Sequence, residues 1–279
     1  MRSFFLFSFL LFSAVAFAQP KVITQATVNT TTNVIAPDDE DVSQIQNQGG
    51  GGFNFRNMGD GETKTVTYIK NDLVKTNFKS ESFRGSIFRD NLSKTTTTIF
   101  EIMGNKQGIK ASDDDQAEMI KKMDSTMKER AKKDTSFHYK PRAVRTPVVP
   151  VISYTEESKK IAGYECRKAY IITDRLLGKD SLAVWYTPEI KFPNLASTGG
   201  TSGLGNFGGG NNFDNINGFV MQYEKSMPRG RKMEVKVTKI EITNVDDKEF
   251  VLPKDVEIKT MKEMSEGGGA GMMRMMQRN

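Results

Sequence analysis

The chain has one cysteine, one histidine and one tryptophan in 279 residues. A lone Cys166 cannot close an internal disulfide, so the fold must rest on packing alone. One histidine, His138, in a polar stretch away from Cys166, leaves no zinc ligand set and no thiol–imidazole pair. The run Gly208-Gly209-Gly210 is followed by no Gly-Lys-Ser/Thr, so it is not a phosphate loop. The acidic run Asp38-Asp39-Glu40-Asp41 lacks the alternating oxygens and central glycine of a calcium loop. Nucleophile elbow, dinucleotide fingerprint and paired-carboxylate motifs are missing too. These absences leave no motif for a cofactor, a metal or a catalytic centre, and the chain reads as non-enzymatic. Charge is not gathered into blocks: 40 Lys and Arg stand against 34 Asp and Glu, net +6, with the signs interspersed. That pattern argues for a solvated surface and against a nucleic-acid partner.

Long apolar runs are lacking except at the start. Arg2, the apolar stretch Phe4–Val15 and the small-x-small site Ala16-Phe17-Ala18 predict a secretory signal peptide over 1–18, cleaved before Gln19. No cysteine follows the cleavage site, so no lipid anchor is expected. The expectation is an exported protein, periplasmic or extracellular, with no transmembrane span in its mature form.

Beyond the leader, period-two patterning dominates and predicts a mainly β protein with few helices. Residues 19–61 read as a first strand, Lys21–Ile35, followed by a flexible loop. Residues 62–260 read as one antiparallel β domain. Asn71-Asp72 marks a hairpin turn, because both tolerate left-handed backbone. Ser112 caps a predicted helix over 112–133, with Asp113, Asp114 and Asp115 at its positive end. On it Met119, Met123 and Met127 recur at helical spacing. That stripe is either core or an adjustable surface for a lipid, since methionine is flexible and polarisable. Residues 193–217, rich in glycine and asparagine, read as a flexible insertion, and 261–279 as a disordered tail.

The densest ordered run is 159–189. Tyr164, Cys166, Tyr170 and Ile172 share one parity and predict a strand with one buried face. A turn around Gly178–Asp180 leads to a second strand in which Leu182, Val184 and Tyr186 lie opposite Trp185. Phe219, Met221 and Tyr223 share a face of a later strand. Met233, Val235 and Val237 share one parity while Ile240 and Ile242 share the other, which predicts a β-bulge inside one strand. Phe250–Pro253 reads as a last edge segment.

The segments IAGYECRKA and VWYTPEI, with Gly218–Glu224 and Phe250–Pro253 downstream, resemble the domain-of-unknown-function family 4412 over roughly 63–260. More distantly the chain resembles the GLPGLI family of exported bacterial proteins. The run that names the latter is absent here, because Gly218 is followed by Phe-Val-Met. The resemblance implies an envelope protein with a curved antiparallel sheet or half-barrel, like that of the periplasmic lipoprotein carriers, and one amphipathic helix packed on it. Two functions follow as expectations. One is a binding module that takes a lipid or a lipidated partner on an apolar sheet face. Its candidate residues are Met119, Met123, Met127, Tyr164, Tyr170, Ile172, Trp185, Tyr186, Phe219, Met221 and Tyr223, each with sheet core as its alternative role. The other is a structural or interaction component acting through loops and tail.

Overall fold

In the computed structural model, residues 19–35, 61–81, 83–102, 105–133, 149–175, 178–193, 195, 213–227 and 230–266 are described. Residues 1–18, 36–60 and 267–279, on which the expected signal peptide, flexible loop and most of the tail fall, lie outside them, as does most of the expected insertion. Short β1 (Lys21–Val22) precedes β2 (Gln25–Ile35). A meander follows through β3 (Gly61–Lys70), β4 (Leu73–Lys79), β5 (Arg84–Asp90), β6 (Thr95–Ile102) and β7 (Asn105–Ser112). Helix α1 (Asp113–Lys133) interrupts it. The chain resumes with β8 (Val151–Ile161), β9 (Tyr164–Arg175), β10 (Gly178–Thr187) and the short β11 (Ile190–Lys191). It ends with β12 (Phe219–Ser226), β13 (Lys232–Glu241), β14 (Ile258–Thr260) and α2 (Met261–Glu266).

Twelve strands form one open sheet in the order β14-β7-β6-β5-β4-β3-β2-β13-β12-β10-β9-β8. The fold is therefore mainly β, as the patterning predicts. β2 brings the two halves together: it pairs with β3 on one side and with β13, some 200 residues later, on the other. The pairing is antiparallel except where β14 runs parallel to β7, and β1 pairs β11 in parallel to make a separate two-stranded ribbon.

Turn chemistry fixes the hairpins. Asn71 takes φ 52° between β3 and β4, and Ala162 and Gly163 take φ 49° and 88° between β8 and β9. Gly218, at φ 150°, opens β12 where a Cβ would stand 2.2 Å from the Thr187 carbonyl oxygen. Only glycine fits that approach.

The predicted bulge in β13 is present: Val237 pairs with Thr30 and Lys239 with Asn29, leaving Thr238 as the extra residue. A second bulge was not legible. Val184 pairs with Tyr223 and Trp185 with Gln222, but Tyr186 pairs with Val220, so Met221 is the extra residue in β12. Each bulge bends the sheet and adds twist.

Several expectations are corrected. β9 is buried on both faces, because Cys166 sits in one packed cluster while Ala169 and Ile171 sit in another. Gly178 and Asp180 do not form the turn: β10 begins at Gly178, opposite Arg175. β7 and β8 lack clean alternation and form strands because they pair with β6 and β9. Phe250–Pro253 is not an edge strand, since Asp247–Phe250 is a 3-10 turn capped by Asp246 and the edge is taken by β14. The insertion is packed at its ends, where Leu195 and Ile216 are buried, and the tail opens with α2 rather than disorder.

The threonine-rich strands carry hydroxyls inside. Thr30, Thr32, Thr63, Thr65, Thr67, Thr76 and Thr97 are buried. Thr67 and Thr76 hydroxyls meet at 3.2 Å, whereas those of Thr30, Thr32 and Thr65 find no protein partner. Helix α1 starts as its sequence dictates: Ser112 Oγ accepts from the Asp115 amide at 3.0 Å, and the Asp115 carboxylate accepts from the Ser112 amide at 2.8 Å. Asp113 is gripped by Arg89 through two hydrogen bonds of 2.6 and 2.9 Å, which anchors the helix to β5.

Candidate functional site

The sequence candidates separate into three environments. Tyr186, Phe219, Met221 and Tyr223 are buried and serve as core. Phe219 and Met221 join Cys166, Val28 and Val237, with Phe219 edge-on to Phe192 at 4.7 Å between ring centroids. Tyr186 and Tyr223 join Ala169, Val184 and Val235 instead. Phe219 and Tyr223 share a parity yet enter different clusters because the extra residue at Met221 shifts the phase of β12. These four rings and chains are held by their neighbours and are not open to a ligand.

Met119 and Met127 are half-buried on α1, and the side chain of Met123 lies outside the described residues. The helix continues directly from β7, toward the opposite end of the sheet from β9 and β10, and none of its described residues is buried, so the expected packing of an amphipathic helix on the sheet is not seen among them. Sheet order thus separates the methionine stripe from the aromatic candidates, contrary to the expectation that they serve one binding face. No alternation within either segment could reveal that separation.

The third environment is a surface on β8, β9, β10 and β12. Tyr164, Tyr170, Ile172 and Trp185 are half-buried here. Trp185 lies opposite Lys168 on one side and Gln222 on the other, so the three side chains share a face. Two ammonium groups stand over the indole: Lys159 Nζ is 4.1 Å from the ring centroid and Lys168 Nζ 5.8 Å. Lys168 is also 5.5 Å from the Tyr170 ring and paired with Glu157 at 3.0 Å. Lys159 donates to Gln222 Oε1 at 2.7 Å, and Gln222 Nε2 donates to Glu234 Oε1 at 2.8 Å. The partner of Lys159 is thus a neutral amide. Burial, and after it the charge of Lys236, hold the Lys159 ammonium below its ordinary pKa. Sequence reading found Trp185 but missed the lysines, because Lys159 and Lys168 sit on different strands and meet the indole only through the hairpin.

Chemically this surface offers an aromatic plate with cations above it, and among the described residues it holds no nucleophile–base pair. Among the described residues there is no cluster of three or more His, Cys, Asp or Glu that could hold a metal. Cys166 is fully buried, donates weakly to the Tyr164 carbonyl at 3.5 Å, and has its thiol pKa pushed up by burial to about 11. It is a packing residue with little thiolate. Elsewhere, an open depression of about 310 Å³ lies beside Lys21–Gln25 and Ile242–Asn244, and it contains none of the candidates.

No family model matches the chain, and no curated protein matches it. Among solved structures it is similar to PNGF-II in a P21 crystal form, with TM-score 0.37 and 14% identity over 90% of this chain and 33% of that one. The chain thus spans about a third of the length of PNGF-II. It is also similar to the LolA superfamily protein NE2245 from Nitrosomonas europaea, with TM-score 0.32 and 10% identity over 85% of this chain and 94% of that one. Scores this low carry no argument about function. No described helix is long and apolar enough to cross a membrane.

Proposed function

We propose that the protein is a non-enzymatic component of the cell envelope, of the kind seen in domain-of-unknown-function family 4412, that binds a lipid or a lipidated partner. The observation that carries this reading is Trp185. It is half-buried, packs with Tyr164 on the same core cluster, shares Lys168 with Tyr170, and has two lysine ammonium groups over its ring. An aromatic plate rimmed by cations suits an amphiphile: the ring and apolar neighbours take the chain, and the lysines take an anionic head. Each methylene removed from water contributes about 0.8 kcal/mol, so a short contact suffices for useful affinity.

Trp185 is the only tryptophan, which makes the test direct. Titrating the protein with vesicles or fatty acids that carry brominated chains should quench its fluorescence on binding. Lys159→Gln should weaken the quench with little change in melting temperature. Binding without quenching would move the site elsewhere. An absence of binding would favour the structural reading, to which the exposed Val151 and Tyr154 on terminal strand β8 are suited.

A further inference from the structure

Cross-strand partners in an antiparallel sheet stand side by side on one face. Followed from strand to strand, the register aligns charges that the sequence scatters. Lys168, Lys236, Lys64, Lys79, Arg84 and Lys106, on β9, β13, β3, β4, β5 and β7, fall on a single transverse row. Trp185 and Gln222 fill the gap between the first two, Thr31 follows Lys236, and Glu101 precedes Lys106. At about 4.8 Å per strand the row crosses roughly 43 Å of sheet. Lys79 and Lys236 are exposed and have no carboxylate partner among the described residues. The other four are ion-paired, Lys64 with Glu62, Arg84 with Glu101, Lys106 with Asp255 and Lys168 with Glu157, and their side chains are 76%, 60%, 39% and 21% exposed. Exposed pairs of this kind are worth about 0–1 kcal/mol, so their cations exchange readily to another anion.

The neighbouring row has the opposite sign. Two residues along each strand, Glu224 stands opposite Glu234, which stands opposite Asn33, which stands opposite Glu62. The cations therefore form a band one residue wide with an acidic border. A planar anionic surface laid on this face would meet both rows. A chain about as wide as one strand row meets the cations alone.

We propose that this band is a docking track for a linear polyanion, and that its occupant is an acidic polysaccharide bearing carboxylate or sulfate groups. The track runs across the strands and extends far beyond Trp185, so it does not depend on the lipid reading.

Heparin is the probe, with binding measured by titration at several salt concentrations. The variant Lys64→Gln/Lys79→Gln/Lys236→Gln removes three cations of the band. A control variant, Lys121→Gln/Lys128→Gln/Lys132→Gln, removes three exposed cations of α1 and the same net charge. Melting temperature and circular dichroism establish that both variants fold. The band variant should lose at least about tenfold in affinity, and its log–log salt slope should fall by roughly 0.7–0.9 per cation removed. The control should stay within about twofold of the parent protein. Equal losses in both variants would overturn the proposal, because net charge alone would then explain binding. A band variant that loses more affinity for vesicles with 30% phosphatidylglycerol, or for duplex DNA, than for heparin at matched salt would overturn the choice of polysaccharide. A failure here leaves the bromolipid quench of Trp185 intact, and a missing quench leaves this test intact.

Discussion

Replacing Cys166 by alanine should produce a stability difference that reverses sign with pH. The side chain is fully buried among Ile161, Phe219 and Met221. Truncation at neutral pH removes packing and should cost roughly 1–2 kcal/mol, at the small end of core truncations. Burial also pushes the thiol from an ordinary 9.0 up to about 11. A raised pKa in the folded state means that the unfolded chain loses its proton first. The associated stability is complete below pH 9 and drains away as pH rises toward 11. Two pH units correspond to about 3 kcal/mol. Alanine has no proton to lose, so the parent protein should be the more stable below pH 9 and the less stable near pH 11, with equality near pH 10. Urea denaturation of both proteins from pH 7 to 11 measures the difference, and the titration of lysines and tyrosines cancels between them. A gap that stays constant over this range would refute the reasoning, as would rapid reaction of the folded protein with a thiol reagent at pH 8.

Arg89→Met should loosen α1 and cost about 1–3 kcal/mol, because it removes two charge-assisted hydrogen bonds to Asp113. Hydrogen bonding from Arg89 holds the Asp113 carboxyl below its ordinary pKa of 3.8. The stability linked to it is present above pH 3.8 and lost as pH falls further. The gap in melting temperature between the two proteins should therefore narrow as pH falls below 3.8, leaving the part due to the Asn91 and Thr96 hydrogen bonds of Arg89, and a gap independent of pH would remove the ion pair as cause. Gly218→Ala should destabilise by at least ~2 kcal/mol through an unfavourable positive φ and a clash with the Thr187 carbonyl. A chemical-denaturation midpoint unchanged by that substitution would count against the opening geometry of β12. Thr65→Val keeps shape and strand propensity while deleting a buried hydroxyl that has no protein partner. It should stabilise the protein by about 1 kcal/mol, and a loss of similar size would mean that the hydroxyl is hydrogen-bonded after all.

Much of the local structure is legible in the chain because it depends on neighbours in sequence. The Asn71-Asp72 turn, the Ser112 cap and the phase change inside β13 each follow from a few adjacent residues. Strand β8 was not legible, because an edge strand pairs on one side only and keeps no alternating buried face. The burial of β9 on both faces was missed for a related reason: Ala169 and Ile171 are covered by elements that parity within β9 does not describe.

By itself the sequence determined the class of fold, the burial of Cys166 and the absence of recognisable catalytic or metal motifs, all of which rest on residue type and short-range period. The tertiary structure alone decided that the helix leaves the sheet from β7 while Trp185 lies toward the other end of the sheet. It also decided that Lys64, Lys79, Arg84, Lys168 and Lys236 stand in one row. Interspersed charges look neutralised along a chain. Pairing register, set by turns, bulges and the junction of β2 with β13, sorts them into adjacent rows of opposite sign, and one residue of slip on any strand would send its side chains to the other face.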